Sequence, residues 1–374
     1  MVQSTIDFWI DQTNGNSDII PYYFYLDWQE RFYPKSQATF LTNKEYKNLS
    51  TQLLESANFI KVSINNKFTH RPIVIIGNIT SYPIPEREEF VYPSDPNYSN
   101  IHFLKSHLQK CVRRKKTEKA IQTAKHLLTI DPVAFLRRLA IIFVEDVSPT
   151  NFYPTIIWLL VATSSKILTL STNHKEWLLG AVYVACEAPY REYFPNKYQQ
   201  RKNIFEETIE NKKELEPSIF DLIMSLFLRI SYGGMHGDMG MLKCHAETWL
   251  TRGKKDNENT EWKSYYEQKV KTISWVVYPL EKNEWEYSAI DFHCFPKMLD
   301  WLVEQFPDFQ KEEIKEIIWK NRSSLNVRPF FHKNSNQENI VEKNRCQNLI
   351  DDNEWLNLMK SLNKISFYAI KTSS

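Results

Sequence analysis

The chain has 374 residues, 42% of them hydrophobic and 25% charged, with a formal net charge of +2. That make-up excludes a disordered or fibrous polymer and fits a globular protein with room for two or three domains. So mild a net charge also excludes a uniformly basic coat, and any contact with a polyanion has to be local.

Glycine is scarce at 8 residues, while aromatics reach 14% with 11 Trp. Few tight βα turns and no Gly-rich phosphate cradle are expected, and the core or an interface must be rich in large flat side chains. Cys111, Cys186, Cys244, Cys294 and Cys346 are scattered without a CxxC pair, so neither a disulfide framework nor a structural zinc site is readable. The start, MVQSTIDFWIDQ, lacks the basic and apolar segments of a secretory signal. Apolar runs such as 156–162 are far too short to span a bilayer. These features predict an intracellular protein, cytoplasmic or nuclear, with no membrane partner.

Residues 1–100 read as a small mixed α/β region. The aromatic stretch 21–34 suits a strand or a packing segment, residues 43–57 carry helix-like apolar spacing, and 59–64 and 72–79 read as two short strands bounded by turn residues. Pro83, Pro85, Pro93 and Pro96 mark the stretch 82–99 as a linker or extended arm.

From His102 the pattern turns helical. Phe103, Leu104, Leu108 and Val112 mark one helix, and Ala120, Ile121, Ala124, Leu127 and Leu128 a second. Asp131-Pro132 then opens a third, since Asp caps well and Pro suits a first turn. Residues 151–170 and 174–188 follow as two apolar helices, and their short connections imply antiparallel packing. The spacing predicts further helices over 217–230, the end of 232–250, 263–278, 288–305 with a kink or split at Pro296, 311–321 and 354–362, and the charged stretch 204–216 reads as a solvated helix or a connector. The segments 252–259 and 334–345 read as an exposed loop and a mobile stretch. The expected fold is mainly α, a helical bundle or collar with the small mixed part in front. The expected divisions are 1–100, 101–216, 217–333 and 334–374.

Three local patterns carry a family likeness. Ser106, Lys110 and Arg113 stand on one helix. Asp131, Pro132, Arg137, Arg138, Leu139, Glu145, Asp146 and Val147 form a second motif, and residues 181–189, AVYVACEAP, end a later helix. In this order and spacing, residues 106 to about 193 resemble the C-terminal helical region of the replication-associated recombination ATPases. These are the bacterial RarA/MgsA proteins and the Werner-helicase-interacting ATPase, relatives of clamp loaders. Arg114 and Ser148 replace glycines of that pattern, Val144 a serine, and Leu136 and Phe143 alanines. No GxxxxGK(S/T) occurs anywhere, so the phosphate-holding lysine of the ATPase core is missing. The resemblance implies an oligomerisation collar without its motor and a place near DNA replication or repair. It does not imply ATP hydrolysis or a cofactor.

The candidate nucleic-acid contact is the run Arg113, Arg114, Lys115 and Lys116, followed by Lys119 and Lys125. Adjacent cations neutralise phosphates and bind in a salt-sensitive way, although cations also suit a helix C-terminus. Arg137 and Arg138 with Glu145 and Asp146 lie about two turns apart on one helix and read as a structural charge network. The segment 232–247, YGGMHGDMGMLKCHAE, is the most enzyme-like: His236 and Asp238 fall in a Gly-rich loop and His245 on the following helix, with Asp291 and His293 available from elsewhere. A metal-dependent hydrolase acting on nucleic acid or nucleotides would need that set. Trp158, Trp177, Trp249, Trp262, Tyr265, Tyr266 and Trp275 could stack on bases, but core packing already accounts for their spacing. The leading expectation is a non-catalytic protein that binds DNA and assembles as a homo-oligomer or hetero-complex. The alternatives are the hydrolase and a purely structural subunit of a hetero-complex.

Overall fold

The computed structural model describes residues 21–28, 37–53, 59–64, 72–79, 100–192, 204–255, 261–273, 299–300, 303–304, 307–320 and 326–328. The fold is mainly α with a small sheet near the N-terminus. The strands are β1 (Tyr22–Trp28), β2 (Thr39–Leu41), β3 (Phe59–Ile64) and β4 (Ile73–Ile79), with α1 (Asn43–Leu53) between β2 and β3. The helices that follow are α2 (Ile101–Arg113), α3 (Thr117–Ile130), α4 (Pro132–Glu145), α5 (Tyr153–Ser164) and α6 (Thr172–Glu187). Then come α7 (Ile204–Glu210), α8 (Pro217–Ser231), α9 (His236–Arg252), the single turn α10 (Lys263–Tyr266) and α11 (Lys311–Lys320).

Two compact units are present, and each is drawn from separated stretches. One takes 1–87, 139–180 and 194–273, the other 88–138, 181–193 and 274–374. The divisions read from the sequence followed the chain continuously, whereas the compact units cut α4 at Leu139 and α6 after Gly180. The expected linker over 82–99, the helix over 354–362 and the mobile stretch 334–345 lie outside the described residues.

In the first unit the sheet order is β2-β1-β4-β3, with β1 parallel to β4 and both outer pairs antiparallel. Period-two alternation puts Phe24, Leu26 and Trp28 on one face, where they are almost fully buried. Tyr23, Val74 and Ile76 point to the other, under Tyr46 of α1, whose ring stacks on Tyr23 at 3.8 Å. A capping box starts α1: the Thr42 amide donates to Glu45 and the Glu45 amide to Thr42 Oγ1. On the opposite face Trp158 of α5 lies against Gly77, where an added Cβ would sit 2.6 Å from the indole. The same indole N–H is shared between the carbonyls of Phe24 and Ile76, both at 3.1 Å. Sequence spacing did not reveal β2, which is only three residues long. Its flank is closed by side chains from helices: the Ala38 amide donates to Thr155 Oγ1 and the Phe40 amide to Asp221 Oδ1 of α8. An edge satisfied in this way cannot recruit another strand.

α8 is buried from Ile219 to Ser231 and packs between α5 and α9. At Gly253 an added Cβ would overlap Ile219, so glycine permits the close approach of the end of α9 to α8. Trp249, Trp262 and Tyr266 form one aromatic cluster, and the Tyr266 hydroxyl donates to the Ser218 carbonyl at 3.0 Å. The helix expected over 263–278 lasts one turn here. Residues 267–273 leave it, and the Ile273 amide donates to the Glu176 carbonyl of α6. Gly180 accepts this crossing because a Cβ there would overlap the Lys271 carbonyl. α5 likewise stops at Ser164, closed by Lys166 at φ 58 rather than running to Leu170.

The second unit is built on the α2–α3 hairpin. Asn100 caps α2 by accepting from the Phe103 amide at 3.0 Å, and Asp131 caps α4 by accepting from Ala134 at 2.8 Å. The apolar positions named from the sequence in both hairpin helices are buried. Between the two helices, His107 Nδ1 lies 2.8 Å from Thr123 Oγ1, with Cys111 Sγ at 3.6 Å from the same ring.

Candidate nucleic-acid interface

The turn between α2 and α3 is made by residues 110–119, KCVRRKKTEK. Arg114 ends α2, and Lys115 enters the left-handed region at φ 55. The Lys115 amide donates to Val112 and the Lys116 amide to Cys111, at 3.1 and 2.8 Å. These two bonds are a Schellman closure, which glycine usually serves because a side chain at that φ costs roughly 1 kcal/mol. Here a lysine occupies the glycine position. The turn therefore carries charge at a backbone cost.

A second cation holds the same end from inside. The Arg328 guanidinium, 2% exposed, donates to the carbonyls of Val112 at the end of α2 and of Ala185, Cys186 and Ala188 at the end of α6. Helix C-termini present unsatisfied carbonyls and partial negative charge, so a buried guanidinium finds both donors' partners and counter-charge there. The Val327 amide adds a bond to Arg113 O at 3.2 Å. Burial pushes the neighbouring Cys186 thiol up to about 12, so it is an inert packed thiol and no nucleophile. No sequence pattern announced Arg328, since its segment shows neither periodicity nor a motif.

Charge is concentrated around this turn. Residues 110–119 hold six Lys and Arg against one Glu, in a chain whose net charge is only +2. The cations act on one another. The buried His107 is held well below its usual range by burial first and then by Lys110, Lys119 and Arg114. Lys105 is lowered by burial, then by Arg138 against the opposing pull of Asp131. On the acidic side, Thr117 donates to Glu187 of α6 at 2.7 Å.

Of the residues singled out from the sequence, Lys115 and Lys116 are exposed, and Arg113, Arg114 and Lys119 are half-buried beside them. Lys125 stands apart, since six residues along α3 from Lys119 means about 9 Å and roughly 120° around the axis. In the expected charge network, Arg138 donates to Gln109 at 2.7 Å, and Arg137 and Glu145 are exposed. Asp146 is buried just beyond α4.

The described members of the set considered for a metal all lie on α9. His236 and Asp238 lie in the first turn of α9, not in a loop, and His236 is exposed. Nine residues on, about 13 Å along the same helix, His245 is fully buried with Nε2 2.6 Å from the Val144 carbonyl. Asp291 and His293 lie outside the described residues. Among the described residues no group of three His, Cys, Asp or Glu side chains could hold a metal ion. Trp158, Trp177, Trp249, Trp262, Tyr265 and Tyr266 are buried and belong to the core, and Trp275 lies outside the described residues. No helix among the described residues is long and apolar enough to cross a membrane. No protein family, curated protein or solved structure matches this chain.

Proposed function

We propose that this protein binds nucleic acid without transforming it, through the basic α2–α3 turn. The observation that carries the reading is the pair of exposed lysines, Lys115 and Lys116, on a closed and internally braced turn amid a local excess of cations. Phosphates take up such charges by releasing condensed counterions, which supplies most of the affinity and makes it steeply salt-dependent. The resemblance of residues 106–193 to a clamp-loader-like collar agrees with this reading. It adds DNA replication or repair as the setting and self-assembly or a hetero-complex as the working form.

Labelled single- and double-stranded DNA titrated across a salt series tests the reading, with oligomeric state recorded in parallel. Micromolar or tighter binding that weakens steeply with salt is expected. Lys115→Ala/Lys116→Ala removes two phosphate contacts, so the slope of log K against log salt should fall by about 1.4 on single strands and about 1.8 on duplex. Absence of binding at low salt overturns the proposal.

A further inference from the structure

The second unit places an exposed tyrosine beside the basic turn. Tyr183 of α6 is 46% exposed and makes no hydrogen bond or ring contact among the described residues. It sits one helical turn before Glu187, so their Cβ atoms are about 5–6 Å apart on one face. Glu187 accepts the hydrogen bond from Thr117, the residue that follows Lys115 and Lys116. Arg328 ties the ends of α2 and α6 together from beneath, and Lys115 is close enough to act on the charge of Cys186. Val327, 54% exposed, is joined to Arg113 through its backbone.

We infer that the ligand of this surface is a single-stranded nucleic acid, its phosphates on Lys115 and Lys116 and one base stacked on the ring of Tyr183. The inference rests on the nucleic-acid reading above and adds the strandedness and the stacking residue. Cations alone do not distinguish a duplex from a single strand. An exposed aromatic face does, because paired bases keep their faces inside the helix while single-stranded bases offer theirs. The tryptophans and tyrosines proposed from spacing are buried wherever they are described, and Tyr190, 39% exposed beyond the end of α6, is engaged in a contact of its own. Tyr183 is nearly half exposed and has no hydrogen bond or ring partner among the described residues to engage its ring. The Glu187 carboxylate lies on the same face and opposes phosphate there, which leaves the base rather than the backbone to meet α6.

The test uses the full chain, a labelled 20-nucleotide oligo-dT and a 20-base-pair duplex, compared by fluorescence anisotropy at fixed low salt and then across a salt series. Oligo-dT should bind more tightly than the duplex. Tyr183→Ala should weaken oligo-dT roughly tenfold, leave the salt slope and the duplex affinity unchanged, and be rescued by Tyr183→Trp. As Tyr183 is exposed, the variants should unfold at the wild-type temperature, which separates loss of stacking from loss of fold. Equal affinity for both ligands with Tyr183→Ala silent overturns the stacking inference and leaves the nucleic-acid reading standing. An equal loss on both ligands also overturns it, because a duplex offers no base face to lose. Binding of neither ligand by the wild-type chain overturns both.

Discussion

Asp221 and His174 are buried in the first unit, and protonation of each pulls stability in opposite directions. Burial raises the Asp221 carboxyl to about 7, against the hydrogen bond from Phe40 and the attraction of Lys212, with Glu45 adding to the rise. The folded chain thus holds this proton more tightly than the unfolded chain does. The stability Asp221 confers is full below about pH 4 and is lost as pH rises through 7. Burial lowers His174 to about 3. Its Nδ1 accepts from the Ser171 amide at 3.1 Å, its ring stacks on Trp28 at 4.2 Å, and its buried Nε2 has no acceptor to support a charge. Its contribution is full above pH 6.5 and is lost as pH falls toward 3. Each slope is about 1.4 kcal/mol per pH unit, so between roughly pH 4 and 6.5 the two oppose each other. Asp221→Asn keeps an acceptor for Phe40 without the charge. Its unfolding temperature relative to wild type should climb from pH 4 to 7 and level off above. His174→Gln should show the reverse, gaining on wild type as pH falls below 6.5. Thermal unfolding of the three chains over that range checks both signs.

At the scale of elements, the turn between α2 and α3 trades backbone comfort for charge. Lys115→Gly relieves the left-handed side chain and should raise stability by up to about 1 kcal/mol, while polyanion affinity falls. Denaturant midpoints measured beside DNA affinity separate the two effects. A variant that loses stability as well as affinity would show that the lysine side chain holds the turn. Gly77 is the converse case, a residue kept small by its neighbour. Gly77→Ala places a methyl inside the contact distance of Trp158 and should destabilise by about 1–3 kcal/mol, read as a lower unfolding temperature.

Legibility follows from these same particulars. α2, α3 and the start of α4 were readable because their apolar residues repeat at helical spacing and Asp131-Pro132 is a local cap. β3 and β4 alternate or cluster β-branched residues and were readable too. β2 was not, since three residues carry no period, and its existence depends on Thr155 and Asp221, both more than 100 positions away. The helix expected over 263–278 failed for a related reason. Its aromatics are spaced as a helix would space them, but Gly180 offers a close berth to the Lys271 carbonyl and the chain leaves the helix after Tyr266. The basic run was visible as composition. Its brace and its neighbouring tyrosine were not, since Arg328 and Tyr183 reach the turn only through tertiary structure.

For the whole molecule, compact units assembled from distant stretches make late residues decisive for early ones. Arg328 spans 216 positions to Val112 and 140 to Ala188. Arg328→Ala leaves buried carbonyls at two helix ends without a donor and should cost at least about 3 kcal/mol. Arg328→Lys should recover part of that, because an ammonium has three donors against five. Urea unfolding of the three chains checks the order wild type, Lys, Ala. The span also has a meaning in time. A ribosome adding about 5–20 residues per second needs about 7 to 28 seconds to travel from Ala188 to Arg328. Throughout that interval the nascent hairpin already displays its lysines, but the ends of α2 and α6 are not yet pinned. The finished shape of the basic turn is therefore acquired only after synthesis has passed Arg328.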